Sequence, residues 1–238
     1  VRRINEFLSQ SEPAPRKPVS LPANLPAGQP QVELRNVAFG YDDHTVLQSI
    51  CLQVQAGEQV TLAGRTGAGK STVFKLLLGL YAPQSGSVLI EGVPAADIAD
   101  QDRRALFGYV EQRFHQVPGT VRDQITLYDP AISDQAMRTA AKLAGLSDTI
   151  ESLPQGYDTP CTPELFSQGQ WQLLSIARAA AADPRILLLD EITANLDAET
   201  ENTVLQALRR VSADRTVISI SHRTGAQTGR VIPIEPAH

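Results

Sequence analysis

The stretch Gly64-Arg65-Thr66-Gly67-Ala68-Gly69-Lys70-Ser71-Thr72 constrains this chain more than any other part of it. It satisfies G-x-x-x-x-G-K-[ST], the pattern of a phosphate-binding P-loop. Its context is the required one: Val60-Thr61-Leu62-Ala63 before it reads as a buried strand, and Val73 to Leu78 after it as the first turns of a helix. The glycines let the backbone fold back so that its N–H groups converge, and the positive end of the following helix completes an anion cradle. In that geometry Lys70 can reach the β- and γ-phosphates of a nucleotide, and the Ser71 hydroxyl can ligate Mg²⁺.

The rest of the chain supplies a frame for this loop. Val32, Leu34 and Val37 with Phe39 predict a strand with a register break, and Ile50, Leu52 and Val54 alternate with polar residues as in a half-buried antiparallel strand. Ser85-Gly86-Ser87 reads as a turn into the strand Val88-Leu89-Ile90, and Phe107 to Val110 as a strand ending at Glu111-Gln112. From about residue 113 to 169 the pattern turns helical, with Ala136, Ala140, Leu143 and Ala144 as an apolar stripe and a short helix over Asp148 to Leu153. Gln170 to Ala181 reads as a long helix stopped at Asp183-Pro184, and Val204, Leu205, Leu208 and Val211 mark one face of another. Ile186 to Leu189 is wholly apolar, as expected of a central parallel strand buried on both faces. Val217 to Ile220 is a further strand, and Val231 to Ile234 an edge strand where Pro233 is tolerated.

Asp190-Glu191 closes the apolar strand, at the end where ligands bind in open α/β sheets. Asp190 is placed to hold Mg²⁺, and Glu191 to orient or deprotonate an attacking water. Asp190 follows Lys70 much later in the chain than a minimal βαβ nucleotide fold requires. A helical insertion into a parallel-sheet core accounts for the gap.

Composition excludes several alternatives. A net charge of -5 gives no basic footprint, so no nucleic-acid partner is expected. No apolar run approaches the roughly 20 residues that span a bilayer, and no signal peptide is evident. Cys51 and Cys161 lack metal-ligand spacing and form no disulfide framework. Residues 1 to 10 read as the end of a helix, and residues 11 to 30, with six prolines, as an extended linker. The domain is expected to begin at residue 31 and run to 238, with the linker and the non-Met start pointing to something upstream.

With these residues in view, the chain resembles the nucleotide-binding domains of ABC transporters, from about Val32 to His222. Phe166-Ser167-Gln168-Gly169-Gln170 and the helix after it look like the signature LSGGQ, the most specific element of the resemblance. Tyr41 looks like the aromatic that stacks on adenine, and Gln112 like the Q-loop glutamine that senses Mg²⁺ and the γ-phosphate. Ala194-Asn195-Leu196-Asp197 resembles the D-loop, and His222 the switch histidine at the γ-phosphate. Gly119-Thr120-Val121-Arg122-Asp123-Gln124-Ile125 and Gly156-Tyr157-Asp158-Thr159 resemble stretches of exporter-type members.

The resemblance implies an α/β P-loop NTPase fold: a mostly parallel central sheet, an antiparallel β subdomain, and a helical subdomain at about 113–170. It implies ATP and Mg²⁺ as cofactors, with Gly64 to Thr72 and Tyr41 holding ATP and Ser71, Gln112 and Asp190 the metal. Glu191, His222, Gln112 and Lys70 are the implied catalytic residues, and Ser167, Gly169 and Gln170 complete the site of an opposite subunit. The implied partners are a second ATP-binding domain and a transmembrane domain, at the cytoplasmic face of a membrane. Two other functions fit the same residues: a weakly hydrolytic half of a heterodimeric transporter, and a soluble ABC ATPase of DNA repair or translation. Gln168 replaces a signature glycine, and the stretch Pro160 to Leu165 and the short tail depart from the exporter pattern.

Overall fold

The computed structural model describes residues 18–22, 25–26, 28–42, 44–192, 196–221 and 229–236. Two sheets organise them. The first is antiparallel, in the order β2-β1-β4-β5, with β1 Val32–Tyr41, β2 His44–Val54, β4 Ser85–Ile90 and β5 Val93–Pro94. The second is parallel, in the order β6-β7-β8-β3-β9, with β3 Gln59–Ala63, β6 Phe107–Val110, β7 Ile186–Asp190, β8 Thr216–Ile220 and β9 Arg230–Pro233. Among the helices, α1 Lys70–Leu77 follows β3 and α2 Asp100–Leu106 leads into β6. Then α3 Val121–Thr126, α4 Asp134–Ala144 and α5 Ser147–Glu151 lie between β6 and α6 Gln168–Ala180, and α7 Ala198–Ser212 joins β7 to β8.

The parallel sheet divides the interior into two cores. Side chains alternate across a strand, and in β7 Ile186 and Leu188 enter one core while Leu187 and Leu189 enter the other. On the first side lie α1, through Val73, Phe74, Leu76 and Leu77, and the antiparallel sheet. On the second lie α4, α6 and α7, which pack on one another through small residues, Ala140, Ala141, Ala144 and Ala177 among them. A strand covered on both faces needs apolar residues at every position, which is why Ile186 to Leu189 carries no polar alternation.

The sequence reading holds for most elements and is corrected at three. The buried face of α4 is Met137, Ala140, Ala141 and Ala144, so the stripe is rotated and Ala136 and Leu143 are only half-buried. Helix α6 starts at Gln168 rather than Gln170, because Ser167 caps it. Ser85 to Ser87 belong to β4 rather than to a turn; Gly86 (φ 78°) passes so close to β1 that a Cβ would lie 2.2 Å from the Arg35 carbonyl oxygen. The register break predicted in β1 is present as shifts between Leu34 and Gly40. Of the linker, Val19 pairs with Ile98 in an isolated parallel bridge. Residues 1 to 10 lie outside the described residues.

Candidate nucleotide site

Strand register assembles the site. Leu62 of β3 and Asp190 of β7 both stand opposite Ile220 of β8, and Val110 of β6 stands opposite Leu189. All four strands run the same way, so the chain leaves the sheet at one edge with Gly64, Gln112, Asp190-Glu191 and Ser221 together. This is the carboxyl edge, where α/β sheets bind ligands.

The loop at that edge needs its glycines. A Cβ on Gly64 would lie 2.4 Å from the Ile234 carbonyl oxygen, and Gly69, the residue before α1, has φ 93° with β2 residue Leu47 2.5 Å from where its Cβ would be. Arg65, Thr66 and Gly67 are exposed at the mouth, whereas Ala68, Lys70 and Thr72 are buried beneath it. The Lys70 ammonium donates to the Gly64 and Arg65 carbonyls, at 2.9 Å each. Burial pulls its pKa below the usual lysine value, and facing Glu191 and Asp190 carboxylates partly restore it.

Asp190 is half-buried at the strand end, and desolvation raises its carboxyl above the ordinary aspartate range. The Tyr109 hydroxyl, 3.2 Å away, and the Ser71 hydroxyl both donate toward it and oppose that rise, while Glu191 adds to it. Burial also raises the Tyr109 phenol, which keeps it a proton donor. Glu191 has a left-handed backbone (φ 46°), and its N–H donates to Ile220 O at 3.1 Å. A non-glycine residue there costs about 1–2 kcal/mol, and such strain concentrates at functional positions.

These residues fit a magnesium nucleotide. The glycines leave a cradle that a side chain would fill, the Lys70 cation lies under it, and Ser71 and Asp190 offer hard oxygen donors. No group of three or more His, Cys, Asp or Glu among the described residues forms a metal cage. Asp190 and Ser71 suit Mg²⁺, which is bound through one or two carboxylates together with substrate phosphates.

Gln112 is exposed just beyond β6. Tyr41 ends β1 in an aromatic set with Phe39 (5.0 Å between ring centres) and Tyr81 (5.5 Å), and its hydroxyl accepts from Lys75 of α1. Ser167, Gly169 and Gln170 open α6, whose buried side chains enter the core on the other face of the parallel sheet from those of α1. There the Ser167 hydroxyl accepts from Gln170 N, and the Gln170 side chain accepts from Ser167 N, a capping box. Gly169 lies against α7, where a Cβ would meet Thr200 at 2.4 Å. His222, Ala194 and Asn195 lie outside the described residues. Asp197 caps α7 by accepting from Glu199 N and Thr200 N.

Sequence reasoning missed Tyr109 and Tyr81. Tyr109 becomes visible only through register, since its partner Leu188 stands two residues before Asp190.

Comparison with known proteins agrees with this geometry. Residues 47–194 match the family model described as ABC transporter. The chain belongs to the ABC transporter family. The matched part is an ATP-binding domain. The chain is 38% identical over 217 residues to the alpha-hemolysin translocation ATP-binding protein HlyB of Escherichia coli O157:H7, covering 89% of this chain and 31% of that one. It is 39% identical over 206 residues to the ATM1-type heavy metal exporter of Novosphingobium aromaticivorans, covering 84% of this chain and 34% of that one. The structure of a bacterial Atm1-family ABC exporter with ATP bound superposes with a TM-score of 0.79 at 33% identity, over 98% of this chain and 41% of the exporter. This chain thus spans about a third of the length of the curated relatives it matches. Among the described residues no helix of this ABC domain is long and apolar enough to cross a membrane.

Proposed function

We propose that this chain is the ATP-hydrolysing domain of an exporter-type ABC transporter, working as one of two domains that clamp two ATP molecules head to tail. The observation that carries the reading is the shared carboxyl edge, where the P-loop, Asp190, Glu191 and the Gln112 loop converge. The exporters among its relatives support the exporter assignment.

In this reading the P-loop backbone from Gly64 to Thr72 and the Lys70 ammonium bind the phosphates, and Tyr41 presents its ring to the adenine. Ser71, Asp190 and Gln112 would hold Mg²⁺, which would supply positive charge beside the transferring phosphate. Glu191 holds the attacking water in line and takes its proton, and His222 and Gln112 contact the γ-phosphate. Ser167, Gly169 and Gln170 serve the partner's nucleotide, as the signature resemblance implies, and α6 carries them on the opposite face of the parallel sheet from α1. Lys70 and the partner's signature stabilise charge on the transferring group, where fixed donors act with little reorganisation.

The domain starts at residue 31, with 1–30 as the tether to a transmembrane domain, and sits at the cytoplasmic face. Leu127 and Tyr128, just after α3, are exposed large hydrophobics that suit contact with that partner; Leu127 also lines a cavity of about 370 Å³ of mixed character, with Phe114 and Ile132 beside Arg104, Glu111 and Asp129.

Glu191→Gln is the test. ATP binding should persist, turnover should fall to background, and an ATP-bound dimer should accumulate in size-exclusion chromatography; unchanged turnover removes Glu191 from its role. Gln168, the first helical residue of α6, favours a second reading, a weakly hydrolytic half of a heterodimer. Turnover measured alone and with a candidate partner separates the two.

A further inference from the structure

The Gln112 loop is fastened to the signature helix on both sides of Gln112. Before it, the buried Gln172 amide of α6 donates to the Glu111 carbonyl at 3.3 Å. After it, Arg178 of α6 donates to the His115 carbonyl at 2.9 Å. Between these ties, the Phe114 ring has the Arg178 guanidinium 4.0 Å from its centre and the Trp171 ring 4.9 Å away, tilted by 32°. Trp171 in turn meets Phe166 edge-on at 5.2 Å, one residue before Ser167. Burial lowers the Arg178 guanidinium to about 10, and the nearby Glu111 charge works against that shift.

We infer that Phe114 is a positioning residue for ATP hydrolysis. Clamped between Arg178 and Trp171, it makes the Gln112 loop move with the signature helix. When α6 shifts to bring Ser167 against the partner's nucleotide, Gln112 shifts in its own site. Engagement of one site is thereby felt in the other through packed rings, with no hydrogen bond from Gln112 itself. Cation–π and aromatic contacts of this kind each contribute specific geometry beyond the area they bury. The inference rests on the ATPase reading above and adds to it a residue outside the nucleotide contacts.

The chain contains a single tryptophan, Trp171, so its emission reports on this contact without a label. Binding of a fluorescent ATP analogue, steady-state turnover and Trp171 emission are compared in the full chain, Phe114→Ala and Phe114→Tyr. The wild-type emission should shift on adding ATP and Mg²⁺. Phe114→Ala should bind ATP with a KM within about twofold of wild type, lose about tenfold in kcat through misplacement of Gln112, and lose the emission shift. Phe114→Tyr, which keeps the ring, should restore both. A Phe114→Ala chain with wild-type kcat, or a wild-type emission that ATP leaves unmoved, overturns the inference. Should Phe114→Ala fail to fold, the wild-type emission and the Tyr variant decide alone. A wild-type chain that binds no ATP at all brings down the ATPase reading, and this inference with it.

Discussion

The Tyr109 hydroxyl donates to the Asp190 carboxylate across 3.2 Å, from β6 to the strand beside it. Asp190 is held half-buried at the strand end, where desolvation works against its charge. The phenol is one of the groups that offset this cost, and it also fixes which way the carboxylate points. Tyr109→Phe removes the donor while keeping the ring that packs edge-on against Phe74. The Mg²⁺ concentration for half-maximal turnover should rise by about tenfold, the cost typical of losing a group that orients a metal ligand. A Mg²⁺ titration of turnover checks this, with thermal unfolding as the control for intact packing.

At the opposite end of the parallel strands lies a polar cluster built for stability. The Glu91 side chain is 1% exposed; it accepts from Gln31 at 2.9 Å and pairs with Arg185 at 2.8 Å. Thr216, the first residue of β8, donates to the same Gln31 and accepts from Gly57 N, so the cluster joins the two sheets. Removing one partner of a buried pair leaves the others unsatisfied. Because Arg185 is partly in water, Glu91→Ala should cost about 2–3 kcal/mol, less than a fully buried pair. A lowered urea midpoint with unchanged ATP binding is the expected result.

The helical layer carries an acid-sensitive contact. Asp134, the first residue of α4, pairs with Arg138 and with Arg122 of α3, at 2.7 Å each, and Arg122 also holds Asp158. Hydrogen bonds from Arg138 and then Arg122 hold the Asp134 carboxyl below the usual aspartate value. A carboxyl depressed in the folded state stabilises above its unfolded value, about 3.9, and that contribution disappears as pH falls through the folded one. Asp134→Asn should therefore lower the melting temperature at neutral pH, and the difference from wild type should vanish in strong acid. Paired melts at the two pH values decide it.

The parts of the site that the sequence exposes are those carried by local pattern. The P-loop and Asp190-Glu191 each sit where a strand ends, and strand ends can be read from apolar runs. The bulge in β1 shows as a broken alternation around Val37. What escaped depends on contacts between distant segments. Phe114 and Arg178 meet only after α6 lies along the exit from β6. The α4 face was misread because alanines occur on two sides of that helix, and only packing against α6 and α7 chooses Met137 and Ala141 over Ala136 and Leu143. Gly86 mimics a turn residue, although its role is to let β4 approach β1.

Strand β7 serves three tasks in five residues: it feeds two cores from alternate positions and ends in the acidic pair's Asp190. Lengthening or shortening it by one residue would exchange its two faces and carry the carboxylate away from Ser71 and Tyr109 in the same step. No compensating change on one side could repair both. Across evolution this strand is therefore expected to accept substitutions of apolar shape but no insertion or deletion. The largely exposed stretch from Thr162 to Glu164, which leads toward α6, is where changes in length can accumulate.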